Sequence, residues 1–226
     1  MKRFIVILTA VLLFSSGTIS AFAFSDVDTS DEILYESVTD LNRLGVIAGY
    51  EDGTFRPNNN VTRAEFANII KGLIPQTTNS GITIIRKQGS EIYCDVETGY
   101  WADYAIGLVS ELGYLNGYED GSFKGDNSIT YQEAAKIFTC MLHYDSISEE
   151  NGGYPAGYIA TAADIGLFEN IPLLKESSMT RRDVAVMTEN AVDIQHRHII
   201  SYSMKNGAVY KVSNMTYRNM LGDSME

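Results

Sequence analysis

The chain has 226 residues, a formal charge of −12 at neutral pH, 45% hydrophobic residues and 11% aromatic ones. That apolar fraction supports packed domains rather than a disordered chain, and the acidic balance opposes general binding of nucleic acid or anionic membranes, because it repels phosphate at long range. Any anionic ligand has to be caught locally.

The chain opens on Met1-Lys2-Arg3, runs through apolar residues from Phe4 to Phe14 broken only by Thr9, and reaches Ala21-Phe22-Ala23. A basic start, a short apolar stretch and an Ala-x-Ala site predict a secretory leader over 1–23, too short to cross a bilayer. The mature protein is then expected to be exported, with no transmembrane segment.

Two copies of one unit follow. Gly49 to Ile74 aligns without gaps on Gly117 to Leu142, an offset of 68 residues, and Phe24-Ser25-Asp26-Val27 answers to Tyr93-Cys94-Asp95-Val96. A third copy is weaker. Ile165-Gly166-Leu167 matches Leu44-Gly45-Val46, and Met179-Thr180-Arg181-Arg182-Asp183 matches Val61-Thr62-Arg63-Ala64-Glu65. The step from Gly45 to Thr62, and from Gly113 to Thr130, is 17 residues, but from Gly166 to Thr180 it is 14, so the third loop is shorter and differently built.

Each unit reads as helix, loop, helix. Leu34, Val38, Leu41 and Leu44 form one apolar stripe on a helix starting near Ser30 or Asp31 and closed by Gly45. The loop carries Gly49-Tyr50-Glu51-Asp52-Gly53, repeated from Gly117 to Gly121, a turn signature in which the last glycine serves the backbone. The second helix opens on Thr62 with Glu65 three residues on, repeated as Thr130 with Glu133 and more weakly as Thr180 with Asp183, which predicts a capping box. No single unit can bury its stripe alone, so the units must pack together.

The predicted organisation is 1–23 leader, 24–75 first repeat, 76–92 insertion, 93–145 second repeat, 146–194 degenerate third repeat, and 195–226 tail, with a hairpin around Lys205-Asn206-Gly207. The predicted fold class is all-α, with short hairpins in the insertion and tail. Cys94 and Cys140 lie in a chain where a disulfide is permitted, and pairing would staple the start of the second repeat to its own helix; the favoured alternative is two buried thiols acting as small apolar side chains.

Capping leaves Arg63 and Arg181 unexplained, because a cation in a helix's first turn opposes the dipole. A guanidinium beside free amide groups at a helix start would receive a carboxylate, the alternative being a pair with a neighbouring acidic side chain. His143, His196 and His198 show no metal spacing with carboxylates, no nucleophile motif is evident, and the Glu51-Asp52-Gly53 loop lacks the alternating acids of a calcium site. No enzyme activity, cofactor or metal is expected.

Taken together, Phe-Ser-Asp-Val, the Leu-Gly step, Gly-Tyr-Glu-Asp-Gly-Thr-Phe-Arg-Pro and Thr-Arg-Ala-Glu resemble the S-layer homology repeat over roughly Phe24 to Ile194. The resemblance implies a pseudo-threefold module whose second helices cluster and whose ligand grooves lie between neighbouring repeats. It further implies noncovalent anchoring to the bacterial cell wall or surface through secondary cell-wall polysaccharide or another peptidoglycan-linked glycan, often pyruvylated. Arg63 and Arg181 take the family's carboxylate-binding role, Asp26 and Asp95 join the ligand-binding set, and Trp101, with Tyr35 its nearest counterpart in the first copy, is either a sugar-stacking ring or core. Tyr131 replaces the arginine in the second copy, leaving that groove to stacking or silence. The alternative is a structural or partner-docking surface protein whose repeats no longer bind glycan.

Overall fold

The computed structural model describes residues 24–74, 87–172, 177–203 and 207–222. The expected leader, most of the insertion and Lys205-Asn206 lie outside the described residues.

In the first unit, Asp31 caps α1 (Glu32–Arg43) by accepting from the Leu34 amide, and a loop leads to α2 (Arg63–Leu73). A 3-10 turn (Gly89–Glu91) ends the linker, and the second unit has α3 (Asp103–Glu111) and α4 (Tyr131–Met141). The third holds α5 (Asp145–Glu150), α6 (Ala156–Asp164) and α7 (Arg181–Asp193). The tail is an antiparallel hairpin, β1 (Arg197–Ser203) with β2 (Gly207–Val212), then α8 (Tyr217–Gly222). The short helices α5 and α8 were not anticipated from the sequence. The fold is all-α apart from this hairpin, and no helix among the described residues is long and apolar enough to cross a membrane.

Packing runs between units. Helix α3 lies on α2, α6 on α4, and α1 on α7, so each first helix leans on a second helix of another unit and the first unit closes on the third. Beneath them Val61 N donates to Met179 O at 3.0 Å, Met179 N to Ile129 O at 2.9 Å, and Ile129 N to Val61 O at 2.9 Å, a ring of three backbone bonds. All three residues are fully buried, and Phe66 meets Phe138 edge-on with centroids 5.8 Å apart nearby. Each large apolar side chain buried there contributes roughly 1.5–3 kcal/mol.

Two glycines of the repeated loop have separate causes. A Cβ at Gly49 would lie 2.2 Å from the Phe24 ring and 2.7 Å from Thr54 O, so this glycine admits a close approach, as Gly117 does for Tyr93. Gly53 has open space but φ of +77°, a left-handed backbone.

The tail touches every unit. Arg197 N donates to Leu142 O, Tyr217 Oη donates to Met141 O, and Arg218 binds Asp40, Glu189 and Asp193. His196 is buried against Tyr217, with ring centroids 4.3 Å apart, and its Nε2 has no hydrogen-bond partner among the described residues. Both cysteines are free thiols. Cys94 is exposed rather than buried, and burial raises the Cys140 thiol above its usual range.

An inter-unit cleft

The helix starts form as the sequence predicts. Thr62 Oγ1 accepts from Glu65 N while Glu65 Oε2 accepts from Thr62 N at 2.8 Å; Thr130 and Glu133 do the same, and Thr180 accepts from Asp183 N. The expected free amides are absent, however. Arg63 N and Ala64 N donate to Asn127 O and Gly125 O, and Arg181 N and Arg182 N donate to Asn59 O and Pro57 O. Carbonyls of neighbouring loops occupy the first turns, which leaves no open anion seat at either helix start.

The guanidinium groups follow the same inter-unit route. Arg63, only 2% exposed, donates from Nε to Phe123 O (3.1 Å), from Nη1 to Glu133 (3.0 Å) and from Nη2 to Asn116 O (2.7 Å). Every guanidinium nitrogen is committed to the second unit, so Arg63 is a strut rather than the open receptor expected. Tyr131, equally buried, donates its hydroxyl to Asp183 of the third unit, and its own deprotonation is strongly disfavoured, first by burial and then by that carboxylate. It fills the arginine's place as a neutral strut, not as a stacking ring. Arg181 reaches the first unit, Nε to Phe55 O (2.7 Å) and Nη2 to Ala48 O (3.2 Å), while Nη1 stands 3.7 Å from Glu65.

Asp26 and Asp95 are also spent internally. Asp26 takes the amides of Phe55 and Arg56 at 2.6 and 2.7 Å, and Asp95 takes those of Phe123 and Lys124 at 2.7 and 2.8 Å. Each clamps a loop at a residue with positive φ, Arg56 at 58° and Lys124 at 55°. Asp52 and Asp120 reinforce these loops, their carboxyls held down at about 2, chiefly by the hydroxyls of Thr54 and Ser122 respectively.

What stays open is a cleft of about 500 Å³ among the three units. The first contributes Tyr50, Glu65 and Asn68; the second, Tyr100, Trp101 and Asp126; the third, Arg181. Trp101 is 59% exposed, which rules out the core reading, and its only ring neighbour among the described residues is Tyr100, with centroids 5.6 Å apart. Tyr50 donates to Glu65 Oε1 at 3.1 Å and lies beneath Arg56, whose guanidinium carbon is 3.9 Å from the ring centroid. Burial pushes the Tyr50 and Tyr100 hydroxyls above their ordinary values. The side chains of Asn68 and Asp126 make no hydrogen bond or ion pair to described residues, so both are available to a guest. Flat aromatic faces beside a few convergent donors and acceptors suit a hydroxyl-rich ring, which stacks by its C–H face and is oriented by its edges. Sequence reasoning missed Tyr50, Asn68, Tyr100 and Asp126, although the repetition of Tyr50 at Tyr118 was a usable signal. Tyr35 does not line this cleft; it borders a separate one of similar size with Ile33, Asp40 and Glu189.

Comparison with known proteins adds two kinds of finding. The family model described as S-layer homology domain matches residues 23–67 and 93–135. Among curated relatives, the chain is 40% identical over 91 residues to a "Cellulosome-anchoring protein" of Acetivibrio thermocellus, covering 40% of this chain and 20% of that protein. It is 34% identical over 132 residues to "Cell surface glycoprotein 1" of the same organism, covering 57% of this chain and 6% of that one. It is 29% identical over 182 residues to "Middle cell wall protein" of Brevibacillus brevis, covering 77% of this chain and 16% of that one. The chain thus spans a small fraction of the length of the relatives it matches.

Proposed function

Because residues 23–67 and 93–135 are S-layer homology repeats, we propose that this chain is a non-catalytic module that holds an exported protein at the cell surface by binding wall polysaccharide in the inter-unit cleft. Its place is the cell surface, as the names of the relatives indicate. The third unit is proposed as a third repeat, on the strength of Met179 and Thr180 taking up bonds with the first two units like those Val61 and Ile129 make.

The observation that carries the glycan reading is Trp101, a large aromatic left exposed beside Asn68, Asp126 and Arg181. A sugar ring stacks on the indole while Asn68 and Asp126 orient its hydroxyls. An acidic substituent such as a pyruvyl group meets Arg181 Nη1, the guanidinium nitrogen without a hydrogen bond, whereas Glu65 and Asp126 disfavour a second negative charge. Arg63 lies outside this cleft and ties the first unit to the second.

Purified wall sacculi, intact and stripped of secondary polysaccharide, test the reading by pull-down. Intact sacculi should retain the protein and stripped ones should not. Trp101→Ala should lower retention at least about fivefold, taking for the sugar ring the roughly 1–3 kcal/mol that a base gains by stacking on an aromatic, with an unchanged melting temperature. Equal retention by both sacculi would favour docking to a protein partner instead.

A further inference from the structure

Asp103, in the first turn of α3, is a carboxylate only 6% exposed. It accepts from Ser90 N at 2.7 Å, Ser90 Oγ at 2.9 Å and Gly99 N at 3.4 Å, and none of these donors is charged. An ion buried without a counter-charge is unfavourable unless its hydrogen bonds are all made, so the clamp it forms demands a reason.

Its two ends are informative. Ser90 belongs to the 3-10 turn of the linker between the first two units, and that turn is pressed onto α3: a Cβ on Gly107 would fall 2.0 Å from Lys87 O. Gly99, at φ +84°, is the third residue of a turn closed by Tyr100 N on Glu97 O, and a second turn follows, closed by Asp103 N on Tyr100 O. Trp101 is the second residue of that second turn, with Tyr100 as its single ring contact among the described residues. The placement of the indole is therefore inherited from the backbone that Asp103 ties down. Repeat architecture does not require the clamp, because in the 68-residue register the first unit has Tyr35 in place of Asp103 and Ile33 in place of Trp101, Tyr35 being only the nearest aromatic.

We propose that Asp103 is a positioning residue of the cleft: by holding Ser90 and Gly99 together it fixes Trp101 at the rim, making the inter-unit linker part of the support of the binding site. This rests on the glycan reading of the cleft.

Trp101 is the single tryptophan of the chain, so time-resolved fluorescence anisotropy of the free protein reads its mobility without ligand. Asp103→Ala should at least double the amplitude of the sub-nanosecond component, Ser90→Ala should raise it less, and Asp103→Asn, which can still accept from Ser90 N and donate to Ser90 Oγ, should lie near the parent. On intact sacculi Asp103→Ala should weaken binding at least fivefold, yet add nothing on a Trp101→Ala background. Unchanged anisotropy, or binding losses that add in the double variant, overturns the proposal. If Asp103→Ala does not fold, Ser90→Ala carries both measurements. Parent-like binding by Trp101→Ala overturns the cleft reading itself, while the anisotropy still decides whether Asp103 holds the ring.

Discussion

Replacing Arg63 by Ala separates a strut from a receptor. The guanidinium makes three hydrogen bonds, one to a carboxylate, and lies 5.0 Å from the ring centroids of both Tyr118 and Phe123. Hydrogen bonds to charged groups contribute about 1.5–3 kcal/mol each. Glu133 is a quarter exposed and Asn116 is at the surface, so water can replace part of what is lost there, whereas Phe123 O stays buried. A total near 3 kcal/mol is therefore expected, toward the low end of what breaking a buried charge pair costs (about 3–5 kcal/mol). For a domain of this size that is a fall in melting temperature of about 6–12 °C. Arg63→Lys should recover less than half, since a point ammonium cannot serve three divergent acceptors. Differential scanning calorimetry beside sacculus binding is the assay. A melting temperature within about 2 °C of the parent, with binding abolished, would refute the strut and restore Arg63 as the ligand's own partner.

Two further outcomes follow from local geometry and charge. Gly53→Val should cost on the order of 1–3 kcal/mol from backbone strain alone, because nothing lies within 4 Å of its Cβ, whereas Gly49→Ala should cost more, since Phe24 and Thr54 O must move; equal denaturation midpoints for the two would contradict this ordering. Burial, with a smaller contribution from His143, depresses the His196 pKa to about 4 from 6.5. The unfolded chain then takes up a proton the folded chain refuses, so the stabilising contribution is full above pH 6.5 and lost as pH falls toward 4, by on the order of 3 kcal/mol. Urea titrations of the parent and His196→Phe at pH 7 and 4.5 should diverge accordingly, and parallel loss would show that His196 is not the group responsible.

The repeat and its caps were legible because their causes are local. Thr62 with Glu65, Gly53 in its turn and the stripe through Leu34, Val38 and Leu41 all act within a few residues of themselves. Destinations were not legible. Arg63 was read against its own helix start, yet its partners lie 53 to 70 residues away in the next unit, and the carbonyls that fill the helix amides come from loops equally remote. Tyr131 carries a signal of its own: it replaces an arginine where the facing acid, Asp183, is itself shortened from glutamate, a paired change that a hydrogen bond from a neutral hydroxyl to the carboxylate explains. Helices α5 and α8, each six residues long, are too short for any periodicity to show. Exposure of Trp101 is a property of the assembled surface and has no local signature.

The contact between α1 and α7 changes how the molecule fails. A linear array of repeats has two ends, can fray from either, and loses its units stepwise. Here the first unit covers the face the last one would leave bare, and Val61, Ile129 and Met179 each both give and receive in one circuit. No unit is terminal, so none can peel away without opening two junctions together. Under the anchoring role proposed above, a load hung on such a ring meets one cooperative threshold rather than a succession of weak steps.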